Sequence, residues 1–125
     1  MPVEPGLSAH VELTVAESDT AVAMRSGDVH VLSTPRVIGL CEEASVLALQ
    51  GQMVTGQTSV GHTVQLDHVA PSKVGSTVVA EATLQKVNGR RLTFTVSVAD
   101  THGLVAAGIV TRVIVDVERF LESAN

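Results

Sequence analysis

Residues 34 to 51 read Thr34-Pro35-Arg36-Val37-Ile38-Gly39-Leu40-Cys41-Glu42-Glu43-Ala44-Ser45-Val46-Leu47-Ala48-Leu49-Gln50-Gly51. Thr34 is a good helix N-cap, and Pro35 suits the first helical position, where no N–H is needed. Gly51 supplies the glycine that closes a helix running to about Gln50. Apolar residues occupy nearly every side of this helix. Val37, Cys41, Ala44 and Ala48 form one row, Ile38, Ser45 and Leu49 a second, and Leu40 and Leu47 a third. A helix apolar almost all round is a central one, enclosed by other elements.

The segments around it supply the enclosure. Before the helix, Ser8 to Ala16 alternates, with Val11, Leu13 and Val15 on one face and His10, Glu12 and Thr14 on the other, the period of a half-buried strand. The seven residues ahead of it read as a loose end. Glu17 to Ser33 reads as a loop with a Ser26-Gly27-Asp28 turn and a short strand around Val29 to Leu32. After the helix come four strand-like segments: Ser59 to His68, Thr77 to Val87, Arg91 to Ala99 and Leu104 to Val117. Arg91 to Ala99 is the cleanest, with Leu92, Phe94, Val96 and Val98 alternating with Thr93, Thr95 and Ser97. Asn88-Gly89 marks a hairpin, and Asp100 to Gly103 the next turn. One strand, one buried helix and four more strands describe a single α+β domain over residues 1–125. Its curved antiparallel sheet of about five strands wraps one long central helix. Such a sheet leaves an edge strand free, and a homodimer that continues the sheet is the expected remedy.

Composition narrows the function classes. The chain has 125 residues, 45% hydrophobic and 17% charged, with net charge −5, which is a globular balance. Its only pair of adjacent basic residues is Arg90-Arg91, and it has two Phe and neither Tyr nor Trp. A nucleic-acid partner needs a basic footprint or stacking platforms, so none is expected. The single cysteine, Cys41, excludes an intrachain disulfide and fits a reducing compartment. The start lacks the basic and apolar runs of a signal peptide, and no run of about 18 apolar residues could span a membrane. A cytoplasmic protein without a membrane partner is expected.

Three polar residues sit where a bland core would not put them. Glu42 shares a helix face with Ile38, Ser45 and Leu49. A carboxylate there is either a solvated side chain or a pocket group whose burial suits it to acid/base or nucleophilic work. Glu43, nearer Arg36 and Gln50 on the more polar side, is the competitor. His68 shares strand parity with Val64 and Leu66, the face that meets the helix. It is either a general acid/base or a core histidine satisfied by a carbonyl. His62 has the same parity. Thr34 is explained by its cap alone, although a hydroxyl at a helix N-terminus can also hold a carbonyl oxygen or an anion. No GxSxG, P-loop, HExxH or CxxC pattern occurs. His10, His30 and His102 are scattered, so no metal site is expected.

Thr34 to Glu42, followed by Gly56-Gln57-Thr58-Ser59-Val60-Gly61, then His68 with Ala70-Pro71 and Gly75, resembles the fluoroacetyl-CoA-thioesterase-like family of hot-dog proteins. Val87 to Phe94 resembles the family's second hairpin. Gly108, Arg112 and the ending Val115 to Phe120 resemble its last strand. The resemblance covers roughly Val11 to Phe120. It implies a hot-dog fold and a catalytic set of Thr34, Glu42 and His68, favouring Glu42 over Glu43. It also implies a pocket glycine at Gly61, whose missing side chain leaves room for the acyl group, and an arginine at Arg112. With His62, these make the expected substrate-binding set. The sequence departs from the family in the loop before the helix. The fluoroacetate-specific member has an aromatic lid there, whereas Ala21 to Leu32 contains no aromatic residue. That argues against fluoroacetyl-CoA as the substrate.

The activity so implied is hydrolysis of a small or medium acyl-CoA thioester. Glu42 acts as nucleophile or base and His68 as acid/base, with CoA as part of the substrate and no further cofactor. CoA phosphates have Lys73, Lys86, Arg90 or Arg91 to meet. The alternative is a hot-dog protein that binds acyl-CoA or another small ligand without turnover. Hydratase or dehydratase chemistry on an acyl thioester ranks behind both, for want of a motif.

Overall fold

The computed structural model describes residues 3–124. Its elements are β1 (Ser8–Thr14), a 3-10 turn (Glu17–Asp19), α1 (Thr34–Ala48), β2 (Gln57–His68), β3 (Thr77–Asn88), β4 (Arg91–Asp100), β5 (Gly103–Asp116) and α2 (Val117–Ser123). The five strands form one antiparallel sheet in the order β1-β3-β4-β5-β2. β2 precedes β3 in sequence but lies at the far edge of the sheet, so the α1–β2 unit crosses the sheet. Among the described residues, no helix is long and apolar enough to cross a membrane.

Alternation builds the core. Val78, Ala80, Ala82 and Leu84 of β3 and Leu92, Phe94, Val96 and Val98 of β4 point inward and are buried. They meet Val37, Leu40, Cys41, Ala44 and Ala48 of α1. Each large aliphatic or aromatic side chain so buried contributes about 1.5–3 kcal/mol, enough together to hold the helix against the sheet.

Five expectations need correction. Ser33, not Thr34, caps α1: its Oγ accepts from Arg36 N–H at 3.1 Å, while Thr34 is the first helical residue. The helix ends at Ala48 rather than Gln50, and Gly51 follows with φ +80. The segment before β1 is tied down from Gly6. Gly6 N–H donates to the Leu84 carbonyl, and Leu84 N–H to the Leu7 carbonyl; residues 1 and 2 of the expected loose end lie outside the described residues. Val117 turns into α2 instead of extending the last strand, because Val117, Phe120 and Leu121 are spaced to share one helix face. The strand expected around Val29 to Leu32 reduces to two isolated bridges, Thr20 with Leu32 and Val31 with Lys73.

The helix is also less enclosed than its apolar rows imply. Val46 and Leu47 stay 48% and 40% exposed, beside the β2 end of the sheet. β2 pairs with β5 along one side, and among the described residues no strand covers its other side.

Candidate active site

β2 carries a bulge. Gly61 pairs with Arg112 and Thr63 with Thr111, which leaves His62 without a partner of its own. The seven residues from Gly61 to His68 would put these two on opposite faces of a regular strand. The extra residue reverses the parity, so Ser59 and Gly61 before it and Val64, Leu66 and His68 after it all face the helix. Both His62 Nδ1 and Thr63 Oγ1 reach Thr111 Oγ1, at 3.3 and 2.5 Å, on the outer face of the sheet. His62 is therefore separated from the other expected substrate-binding residues. Its parity alone is misleading because the bulge falls on it.

At the C-terminal end of β2, the Thr34 hydroxyl and His68 Nδ1 form a 2.8 Å hydrogen bond. The Ser33 cap makes this possible: it satisfies the helix end and frees the next hydroxyl. His68 Nε2 is buried and unpartnered. Burial pulls the His68 pKa below the ordinary 6.5 and so favours the neutral imidazole, partly opposed by the nearby Ala70 backbone. Beside this pair lies a cleft of about 330 Å³, walled by the 21–33 loop and the Val69-Ala70-Pro71 turn.

Glu42 lies further along α1. Its Oε2 accepts from Arg112 Nη1 at 3.4 Å. A Cβ placed on Gly61 would come within 2.5 Å of the same Oε2. The room left by Gly61 is thus taken up by the end of the Glu42 carboxylate. Glu43 is exposed on the other side of the helix. Arg112 is 6% exposed; burial lowers its pKa and the Glu42 charge raises it back. Its Nε donates to Ser59 Oγ at 2.8 Å and its Nη2 to the Ser59 carbonyl at 3.0 Å. Ser59 was missed in the sequence; the available signal was a serine two residues from Gly61, on the same strand face.

The expected residues therefore form two groups. Thr34 and His68 touch, as do Glu42, Gly61 and Arg112. Eight residues of helix put roughly 12 Å of axial rise between Thr34 and Glu42. Along β2 the separation of Gly61 and His68 is roughly 20 Å. Among the described residues, no group of three or more His, Cys, Asp or Glu is placed to hold a metal ion.

The sequence profile of the fluoroacetyl-CoA-specific thioesterase family matches residues 15–118, a span that contains both groups. The chain belongs to this family. It is 33% identical over 90 residues to the fluoroacetyl-CoA thioesterase of Streptantibioticus cattleyicolor, a match covering 72% of this chain and 65% of that relative's length. The solved structure of the fluoroacetyl-CoA thioesterase FlK superposes with a TM-score of 0.91 at 26% identity, over 98% of this chain and 95% of that one. A hot-dog-like protein from Thermanaerovibrio acidaminovorans gives 0.88 at 28% identity, over 94% and 87%. The helix-in-sheet architecture is thus the hot-dog fold that the family resemblance implied.

Proposed function

We propose that the protein is a cytoplasmic homodimeric thioesterase that hydrolyses a small or medium acyl-CoA to free acid and CoA. Thr34, Glu42 and His68 form its catalytic set, with Gly61 and Arg112 beside it. The observation that carries this reading is the placement of an acid/base pair and an arginine-backed carboxylate on one face of the sheet, in a chain of a thioesterase family. Support for CoA comes from a mutant of the FlK thioesterase solved with fluoroacetate and CoA bound, which superposes with a TM-score of 0.86 at 27% identity. The cleft of about 330 Å³ beside Thr34 and His68 suits a modest acyl group. The absence of aromatic residues from Ala21 to Leu32 argues against fluoroacetyl as that group.

Glu42 either attacks the carbonyl carbon, giving a mixed anhydride that water then opens, or takes a proton from the attacking water. In both routes the C–S bond breaks, and the CoA thiolate receives its proton through His68, held by Thr34. The developing oxyanion needs N–H donors, which the backbone near Gly61 offers. No step requires a metal or a further cofactor.

The separation of the two groups supports the dimer. An acid/base and a nucleophile must both come within about 3 Å of the reacting atoms, which one chain does not achieve. Pairing two free β2 edges antiparallel about a two-fold near Val64 and Gln65 sets the Gly61 end of one protomer against the His68 end of its partner. The same contact covers the exposed Val46 and Leu47 of α1. Each active site then takes Glu42 from one protomer and Thr34 and His68 from the other.

The test is a panel of acetyl- to long-chain and aryl-CoAs, with released thiol followed by DTNB. Wild type should turn over at least one short or medium acyl-CoA, and Glu42→Ala and His68→Ala should each lower kcat by roughly 10²-fold or more. A tight acyl-CoA complex that releases no thiol would instead make the protein a binding module.

A further inference from the structure

We propose that Ser59 is a positioning residue of the active site, acting through Arg112 to fix the place of Glu42. The inference rests on Glu42 being catalytic.

A guanidinium presents five N–H donors in a rigid planar fork, so fixing one edge of the fork aims the other. One residue holds that edge here. Ser59 accepts from Nε with its hydroxyl at 2.8 Å and from Nη2 with its carbonyl at 3.0 Å. The remaining nitrogen, Nη1, is then directed at Glu42 Oε2, 3.4 Å away. Arg112 is too buried for water to replace these acceptors, and among the described residues no other side chain accepts from its Nε. Removing the Ser59 hydroxyl strands a buried N–H, and the fork must turn to recover a partner.

Ser59 and Gly61 act as a pair. Both precede the bulge and face the helix. Ser59 orients the cation, and Gly61 leaves the gap in which the anion sits. Around Glu42, β5 contributes the charge of Arg112, while β2 contributes the uncharged Ser59 and Gly61. The neighbouring Cys41 on α1 is a neutral thiol. Arg112 is therefore the charged group that meets the Glu42 carboxylate, and its aim depends on Ser59. The 3.4 Å contact, with Glu42 37% exposed, leaves the carboxylate held but accessible.

The experiment compares wild type, Ser59→Ala, Ser59→Thr, Arg112→Lys and Glu42→Ala, with kcat, KM and Tm for each. Ser59→Ala should lower kcat about tenfold or more, with KM changed much less, because a misaimed carboxylate costs transition-state rather than ground-state interaction. Ser59→Thr keeps the hydroxyl and should restore kcat. Arg112→Lys keeps the charge without the fork and should resemble Ser59→Ala. Wild-type kcat in folded Ser59→Ala, with Glu42→Ala inactive, would overturn the role of Ser59 and leave the catalytic assignment standing. A lowered Tm with kcat and KM unchanged would overturn it equally. Full activity in Glu42→Ala would instead overturn the assignment of Glu42, and this inference with it.

Discussion

The two ends of β2 hold different kinds of site. At the His68 end, the Thr34 hydroxyl and the imidazole share one hydrogen bond beside an open cleft. At the Gly61 end, Glu42 is backed by a buried arginine that is itself gripped by Ser59. The first end can exchange protons and admit a substrate; the second holds a charge in place. Each has what the other lacks, and the bulge at His62 lets one strand present both to the same side. The proposed catalytic groups thus share one strand face and lie in two places along it. In the proposed dimer, a second copy of the chain turned about a two-fold would remove that distance.

The sharpest way to break this comparison is subunit mixing. His68→Ala and Glu42→Ala homodimers should each be nearly inactive. Mixed in equal amounts and allowed to exchange, they should recover about a quarter of wild-type activity, because half the dimers then carry one intact composite site. No recovery after confirmed exchange would place all three residues in one chain's site and remove the dimer argument.

Two glycines sharpen it next. Gly61→Ala puts a Cβ against the movable end of Glu42. It should cost roughly 10²-fold in kcat, as misplacement of a catalytic group does, with Tm nearly unchanged. Gly108→Ala instead drives a Cβ into backbone, against the Gln65 carbonyl oxygen and the Leu66 Cα. It should destabilise the fold by roughly 3 kcal/mol, seen as an earlier midpoint in denaturant unfolding. A Gly61→Ala protein of normal kcat would show that the gap is not needed for Glu42.

The His68 end has a pH signature. Because the folded His68 pKa is lowered, the neutral base persists below the ordinary 6.5, and the limb of the kcat/KM profile set by His68 should fall there. Stability carries the matching sign. As pH falls through 6.5, the unfolded chain binds a proton that the folded chain does not, so folding weakens. His68→Gln should flatten that slope in urea midpoints measured between pH 5 and 8. A limb above 6.5 in wild type would contradict a desolvated His68.

The smallest effect is a control on the helix between the two ends. Cys41 is buried, and burial followed by the Glu42 charge pushes its thiol up to about 11. Native protein should leave it unlabelled by DTNB, and denatured protein should release one equivalent of thiol. Rapid labelling in the native state would mean that α1 opens more readily than its packing implies.

The sequence by itself determined the elements and their inward faces. The apolar rows from Val37 to Ala48, the alternation from Leu92 to Val98 and the Asn88-Gly89 turn are local periodicities, and local periodicity is set by backbone geometry. The same reasoning put His68 on the strand face toward the helix but left Glu42 and Glu43 in competition, and only the family resemblance favoured Glu42. Other features depended on contacts remote in sequence. Whether Ser33 or Thr34 caps the helix depends on which hydroxyl His68 takes, from 34 residues away. The bulge at His62 exists only in the pairing of β2 with β5, so strand parity could not reveal that His62 faces outward. Ser59 has no meaning without Arg112, 53 residues later. The gap at Gly61 is visible only when Glu42 fills it. Only the tertiary structure decided which residues make up each group, because Thr34 meets His68 across 34 residues of sequence and Glu42 meets Arg112 across 70.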